Sequence, residues 1–105
     1  MTTFDEREIA FENKFAHDAE MQFKASARRD KLIGLWAAGL MGLSGEEAAA
    51  YAHEVVRAEV KGAGEAAVYR KLSADLGERA DEATIRKTMQ SMLAEAKDQL
   101  MTEIN

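Results

Sequence analysis

The chain has 105 residues, a net charge of −5 and 47% hydrophobic residues, which fits one folded domain and excludes a disordered polymer. It holds no cysteine and no proline, so disulfides, thiol catalysis and cysteine-ligated zinc are excluded, and no residue removes a helical backbone donor. The acidic balance works against a phosphate backbone, so nucleic-acid binding is not expected.

The first segment, residues 1–16, differs in composition from the rest. All four phenylalanines, Phe4, Phe11, Phe15 and Phe23, fall within the first 23 positions. Phe4, Phe11 and Phe15 share one stripe if the segment is helical. Asp5, Glu6, Glu8, Glu12, Asp18 and Glu20 surround them, against only Arg7 and Lys14. The segment is either a docked extension of the first helix or a free amphipathic arm awaiting a partner. Its acidic start does not match a signal peptide, which needs a basic one.

Residues 17–105 read as four helices, at about 17–41, 45–61, 65–76 and 82–103. Gly42 is placed as a left-handed cap for the first helix, with Leu43 making the accompanying apolar contact. Within that helix Trp36 is expected to anchor the core, surrounded by Leu32, Leu35 and Gly39 or Leu40. Ser44 and Glu47 have capping-box spacing for the second helix. Its apolar face is Tyr51, Val55 and Val56, with Ala48, Ala52 and Val60 beside them. Gly62-Ala63-Gly64 breaks it. Val68, Tyr69, Leu72 and Leu76 form the third stripe, and Gly77 ends that helix. Asp81 is the candidate cap of the fourth, whose stripe is Ile85, Met89, Met92, Leu93, Ala96 and Leu100. Short connections predict antiparallel neighbours, hence an all-α four-helix bundle. The longest apolar run, Leu32 to Leu43, is too short to span a bilayer. A cytoplasmic address and a monomer in the free state are expected, with no membrane insertion.

The chemistry-bearing constellations are weak. Gly34, Gly39, Gly42 and Gly45 lack the Gly-Lys-Ser/Thr that ends a phosphate loop. They suit close packing and a helix cap better. His17 and His53 lack the Glu-x-x-His spacing of a di-metal bundle, since Lys14 and Ala50 stand where the glutamates belong. No metal or cofactor is expected, and no serine or threonine is spaced with a histidine as a nucleophile would be. The cluster Lys24, Arg28, Arg29 and Lys31 has two readings. It is a solvated face pairing with Glu20 and Asp30, or an anionic contact for an acidic protein surface or a nucleotide phosphate.

Longer strings say more. Thr3-Phe4-Asp5-Glu6-Arg7-Glu8, then Ala10-Phe11-Glu12-Asn13-Lys14-Phe15-Ala16-His17-Asp18, Phe23-Lys24-Ala25, Ala27-Arg28-Arg29, Leu35-Trp36-Ala37-Ala38 with Gly42-Leu43, and Tyr51-Ala52-His53-Glu54-Val55-Val56 resemble a known family. It is the zeta subunit of alphaproteobacterial F-type ATP synthase, a natural inhibitor of ATP hydrolysis. The resemblance implies a four-helix protein with a mobile N-terminal inhibitory arm. The arm would wedge between a catalytic alpha/beta pair and the gamma subunit, blocking hydrolytic rotation and sparing synthesis. Thr2, Thr3, Phe4, Asp5, Arg7, Glu8, Phe11, Glu12, Lys14 and Phe15 would be its contacts; apart from the resemblance, Lys24, Arg28 and Arg29 are the possible anionic contact that their charge suggests. The chain would then be a regulatory protein and not an enzyme, bound at the membrane periphery through the synthase. The competing reading is a small helical adaptor or nucleotide-sensing module without inhibitory activity.

Overall fold

The computed structural model describes residues 18–104, with side chains through 103. The arm and the start of the first helix, as read from the sequence, fall outside the described residues up to position 17. Four helices follow: α1 Ala19–Leu40, α2 Gly45–Lys61, α3 Glu65–Leu76 and α4 Glu82–Ile104, with a 3-10 turn at Gly77–Arg79 between the last two. The described residues form a four-helix bundle.

Each boundary has a local cause. Asp18 sits in extended backbone, and its carboxylate accepts the Met21 N–H at 3.2 Å, capping α1. At the other end Gly42 takes φ +79°. The Leu43 N–H then reaches the Ala38 carbonyl at 2.9 Å and the Gly42 N–H reaches that of Gly39 at 3.1 Å. This pair closes a Schellman cap, which needs a residue free to adopt left-handed backbone. Asp81 accepts the Thr84 N–H at 2.8 Å and starts α4. Hydrogen bonding from the Thr84 side chain, first, and from its backbone N–H holds the exposed Asp81 carboxyl below its ordinary value. The capping box at Ser44 does not form: its side chain makes no capping bond, and Glu47 is exposed. Gly45 departs from helical backbone at φ +54°, so the serine hydroxyl is not aimed at the third amide as the box requires.

The core runs along one side of α1. Met21, Ala25, Arg29, Ile33 and Ala37 are buried at intervals of four, with Asp30, Gly34 and Ala38 beside them. Its main cluster joins Ile33, Ala37 and Ala38 of α1 to Tyr51 and Val55, Val68, Leu72 and Leu76, and Ile85 and Met89. A second cluster pairs Met21 and Ala25 with Leu100, so the start of α1 lies against the end of α4. Trp36 corrects its expected role: it is only partly buried, packed against the edge of the cluster, while Leu35 and Leu40 are exposed. The buried stripe passes through positions 33 and 37, which leaves position 36 on its flank. Val60 is likewise exposed, at 65%, because the buried face of α2 ends with Val55.

Polar ties cross between the helices. Tyr51 of α2 donates to Asp75 of α3 at 2.7 Å, and Lys71 pairs with the same carboxylate at 3.0 Å. Burial, first, and the Asp75 hydrogen bond push the Tyr51 hydroxyl above its ordinary range. Arg86 of α4 lies 4.0 Å from the centroid of the Tyr69 ring of α3, a cation–π contact.

Close approach of α1 and α2 depends on Gly34. A methyl group there would lie 2.7 Å from the Ala52 Cα, whereas one on Gly39 meets nothing within 4 Å. Gly34→Ala is therefore predicted to destabilise by about 1–3 kcal/mol through overpacking. Gly39→Ala should stabilise by up to about 1 kcal/mol through helix propensity. Urea unfolding of both variants checks this, and a stabilised Gly34→Ala protein would show that the two helices are not in close contact.

Candidate partner-binding site

The contacts inferred at Thr2, Thr3, Phe4, Asp5, Arg7, Glu8, Phe11, Glu12, Lys14 and Phe15 lie outside the described residues. What the structure places is the surface that follows them in the chain. Asp18 caps α1, and two residues beyond the first buried position, Met21, stands Phe23, 60% exposed. Phe23 falls off the four-residue spacing of the buried stripe, so the helix turns its ring to solvent.

Phe23, Lys24, Arg28 and Lys31 of α1 line one open groove with His53 and Val56 of α2 and Leu100 and Glu103 of α4. Its volume is about 560 Å³. The wall is apolar through Phe23, Val56 and Leu100, and the rim is basic.

The four cations of the basic cluster have different fates. Lys24 pairs with Glu20 at 3.3 Å, both side chains well exposed, an i,i+4 contact of small energetic weight. Arg28 binds α4: Nη1 donates to Gln99 at 2.9 Å and to Glu103 at 2.8 Å, and Nη2 donates to the other Glu103 oxygen at 3.0 Å. This fork holds the Arg28 guanidinium above and the Glu103 carboxyl below their ordinary values, the hydrogen bond being the main cause. Lys31 is exposed and makes no ion pair among the described residues.

Arg29 is not on this surface. Its side chain is 4% exposed and ion-paired with Asp30 at 3.0 Å, with Glu65 at 3.4 Å, and with Glu59. Its anionic contact is internal, joining α1 to α2 and to the start of α3. The surface reading therefore narrows to Lys24, Arg28 and Lys31. Adjacent helical residues differ by about 100° in direction, which is why Arg28 and Arg29 divide between rim and interior.

Sequence reasoning did not single out Phe23, His53 and Val56 as one surface. The signal for Phe23 was available: an aromatic residue off the stripe of its own helix. The meeting of α1, α2 and α4 at this groove needed the tertiary structure. Among the described residues, no group of histidine and carboxylate side chains is arranged to hold a metal ion. No described helix is long and apolar enough to cross a membrane.

Comparison with known proteins places this arrangement. No curated protein matches the chain. A protein solved by solution NMR is 52% identical to it, over 79% of this chain and 98% of that one, with a TM-score of 0.73. The family model of ATPase inhibitor subunit zeta matches residues 1–99. A match of that extent takes in the phenylalanine-bearing arm together with nearly all of the bundle, and the chain belongs to the ATPase inhibitor subunit zeta family.

Proposed function

We propose that this chain inhibits ATP hydrolysis by the catalytic head of an F-type ATP synthase, with its N-terminal arm as the inhibitory element. The observation that carries the reading is the family match across residues 1–99, which includes the arm. In this reading residues 1–16 enter the space between an alpha/beta pair and the gamma subunit. Phe4, Phe11 and Phe15 are the apolar anchors. Thr2, Thr3, Asp5, Arg7, Glu8, Glu12 and Lys14 supply polar contacts around them.

A blocking segment needs apolar anchors that bury only in the complex and a rigid body that holds it in place. The described bundle builds its core from α1 to α4, and its own Phe23 is exposed. Phe11 and Phe15 are spaced for one face of a helix, the pattern by which an amphipathic segment fills an apolar groove. Lys24 and Lys31 at the rim of the bundle groove offer a second contact to an acidic surface of the synthase. Charges at such a rim govern association rate and salt dependence more than final affinity. The protein would act on the cytoplasmic side, peripheral to the membrane while bound to the synthase.

Titration of the isolated synthase head with this protein, read as ATP hydrolysis, tests the reading. The whole chain should inhibit. Phe11→Ala combined with Phe15→Ala should weaken inhibition by at least about thirtyfold, because truncating a buried aromatic anchor commonly costs more than about 2 kcal/mol. Unchanged inhibition by the double variant would remove the arm from the mechanism.

A further inference from the structure

We propose that Asp30 holds a proton at the α1–α2 interface, in the cluster where Arg29 already faces Glu59 and Glu65, and that its loss loosens the α2–α3 turn from α1, making this corner of the bundle a pH-sensitive catch.

The geometry sets up a charge imbalance. One guanidinium, Arg29, faces three carboxylates: Asp30 beside it on α1, Glu59 near the end of α2 and Glu65 at the start of α3. The three carboxylates differ in exposure. The Glu65 side chain is 65% exposed and is screened by water, the Glu59 side chain is 15% exposed, and Asp30 is fully buried. Asp30 Oδ1 accepts the Arg29 Nε–H at 3.0 Å, but its other oxygen is buried with no hydrogen-bond partner among the described residues. An ionised carboxylate is unstable with an unsatisfied buried oxygen and a second carboxylate nearby. A protonated one gains an O–H donor, and Glu59 can accept it.

The balance of causes agrees with the geometry. Burial raises the Asp30 carboxyl most, the Arg29 charge opposes it, and the charge and hydrogen bonding of Glu59 raise it again, leaving it at about 7. Glu65 of α3 bears on the same guanidinium, and no charged group of α4 enters the balance at Asp30. Arg29 therefore clamps both flanks of the Gly62-Ala63-Gly64 turn while the proton is present. When it leaves, the buried Asp30 charge and the half-buried Glu59 charge compete for one cation. The Arg28 fork to Gln99 and Glu103 on α4 takes no part, so the α1–α4 pairing should stay closed.

The sign follows from linkage. The folded carboxyl binds its proton more tightly than the unfolded one, whose ordinary value is about 4. The stabilisation is thus fully present below about pH 4 and is lost as pH rises through about 7. Between these limits the folding equilibrium constant should fall by up to about tenfold per pH unit.

The experiment is unfolding of the full chain from pH 5 to pH 8.5, for the parent and for Asp30→Asn, with amide hydrogen exchange of residues 59–65 followed in parallel. The difference between the two proteins isolates the contribution of Asp30. Relative to Asp30→Asn, the parent should lose stability between pH 5 and about 7, and its turn should exchange faster at pH 8 than the same residues of the variant. Glu59→Gln provides a second route should Asp30→Asn fail to fold, and it should reduce the pH dependence without abolishing it, because burial of Asp30 remains. Equal pH slopes in parent and variant, or a carboxyl carbon titration of Asp30 with its midpoint near 4, would overturn the proposal.

Discussion

The constraint on which the bundle depends is that α1 must lie close to α2 while also packing along α4 and touching α3. A helix with three neighbours cannot carry large side chains on every contacting position, and α1 does not. Its buried line includes Ala25, Gly34, Ala37 and Ala38, and α2 answers with Ala48 and Ala52. Gly34 lets the two backbones approach where any side chain would collide with Ala52. Larger residues then fill the remaining space from the other side: Leu72 and Leu76 of α3, and Ile85 and Met89 of α4. Small residues at the central contact and large ones around it let the helices interdigitate.

Polar interactions add orientation to this packing. The Arg28 fork fixes the end of α4 against the start of α1. Tyr51 and Lys71 converge on Asp75 and set α2 against α3. The Arg29 cluster is different in kind, because burying a guanidinium and a carboxylate removes both from water, and their attraction recovers that cost only when the geometry is good. One side of that cluster is well satisfied and one Asp30 oxygen is not. The least settled charges among the described residues therefore lie at the α2–α3 corner.

Much of the fold could be read in the residues. Gly42 followed by Leu43, and Asp81 three residues before Thr84, announce caps whose hydrogen bonds the structure contains. Ile85, Met89, Ala96 and Leu100 fall on the buried face of α4, as their spacing requires. The misreadings share a cause, which is that local pattern does not report tertiary direction. Ser44 and Glu47 have the spacing of a capping box, but Gly45 turns the backbone out of the dihedral angles that the box needs. Trp36 lies inside an apolar run, yet the stripe that faces the core passes beside it. Arg28 and Arg29 are indistinguishable in composition, and only the positions of α2 and α4 decide which is buried. The candidate arm contacts were legible by resemblance alone, since their chemistry depends on a partner whose surface is not in the sequence.

The proposed function requires that residues from Asp18 onward make a body that needs only its own helices, while the preceding residues serve a partner. The most direct test is thermal unfolding of a chain lacking residues 1–16, compared with the whole protein at the same pH. A bundle whose core is complete from α1 to α4 should melt cooperatively with nearly the same midpoint and helix content. Loss of cooperative unfolding in the shortened chain would show that Phe4, Phe11 and Phe15 belong to the protein's own core, and would contradict the division on which the inhibitory reading depends.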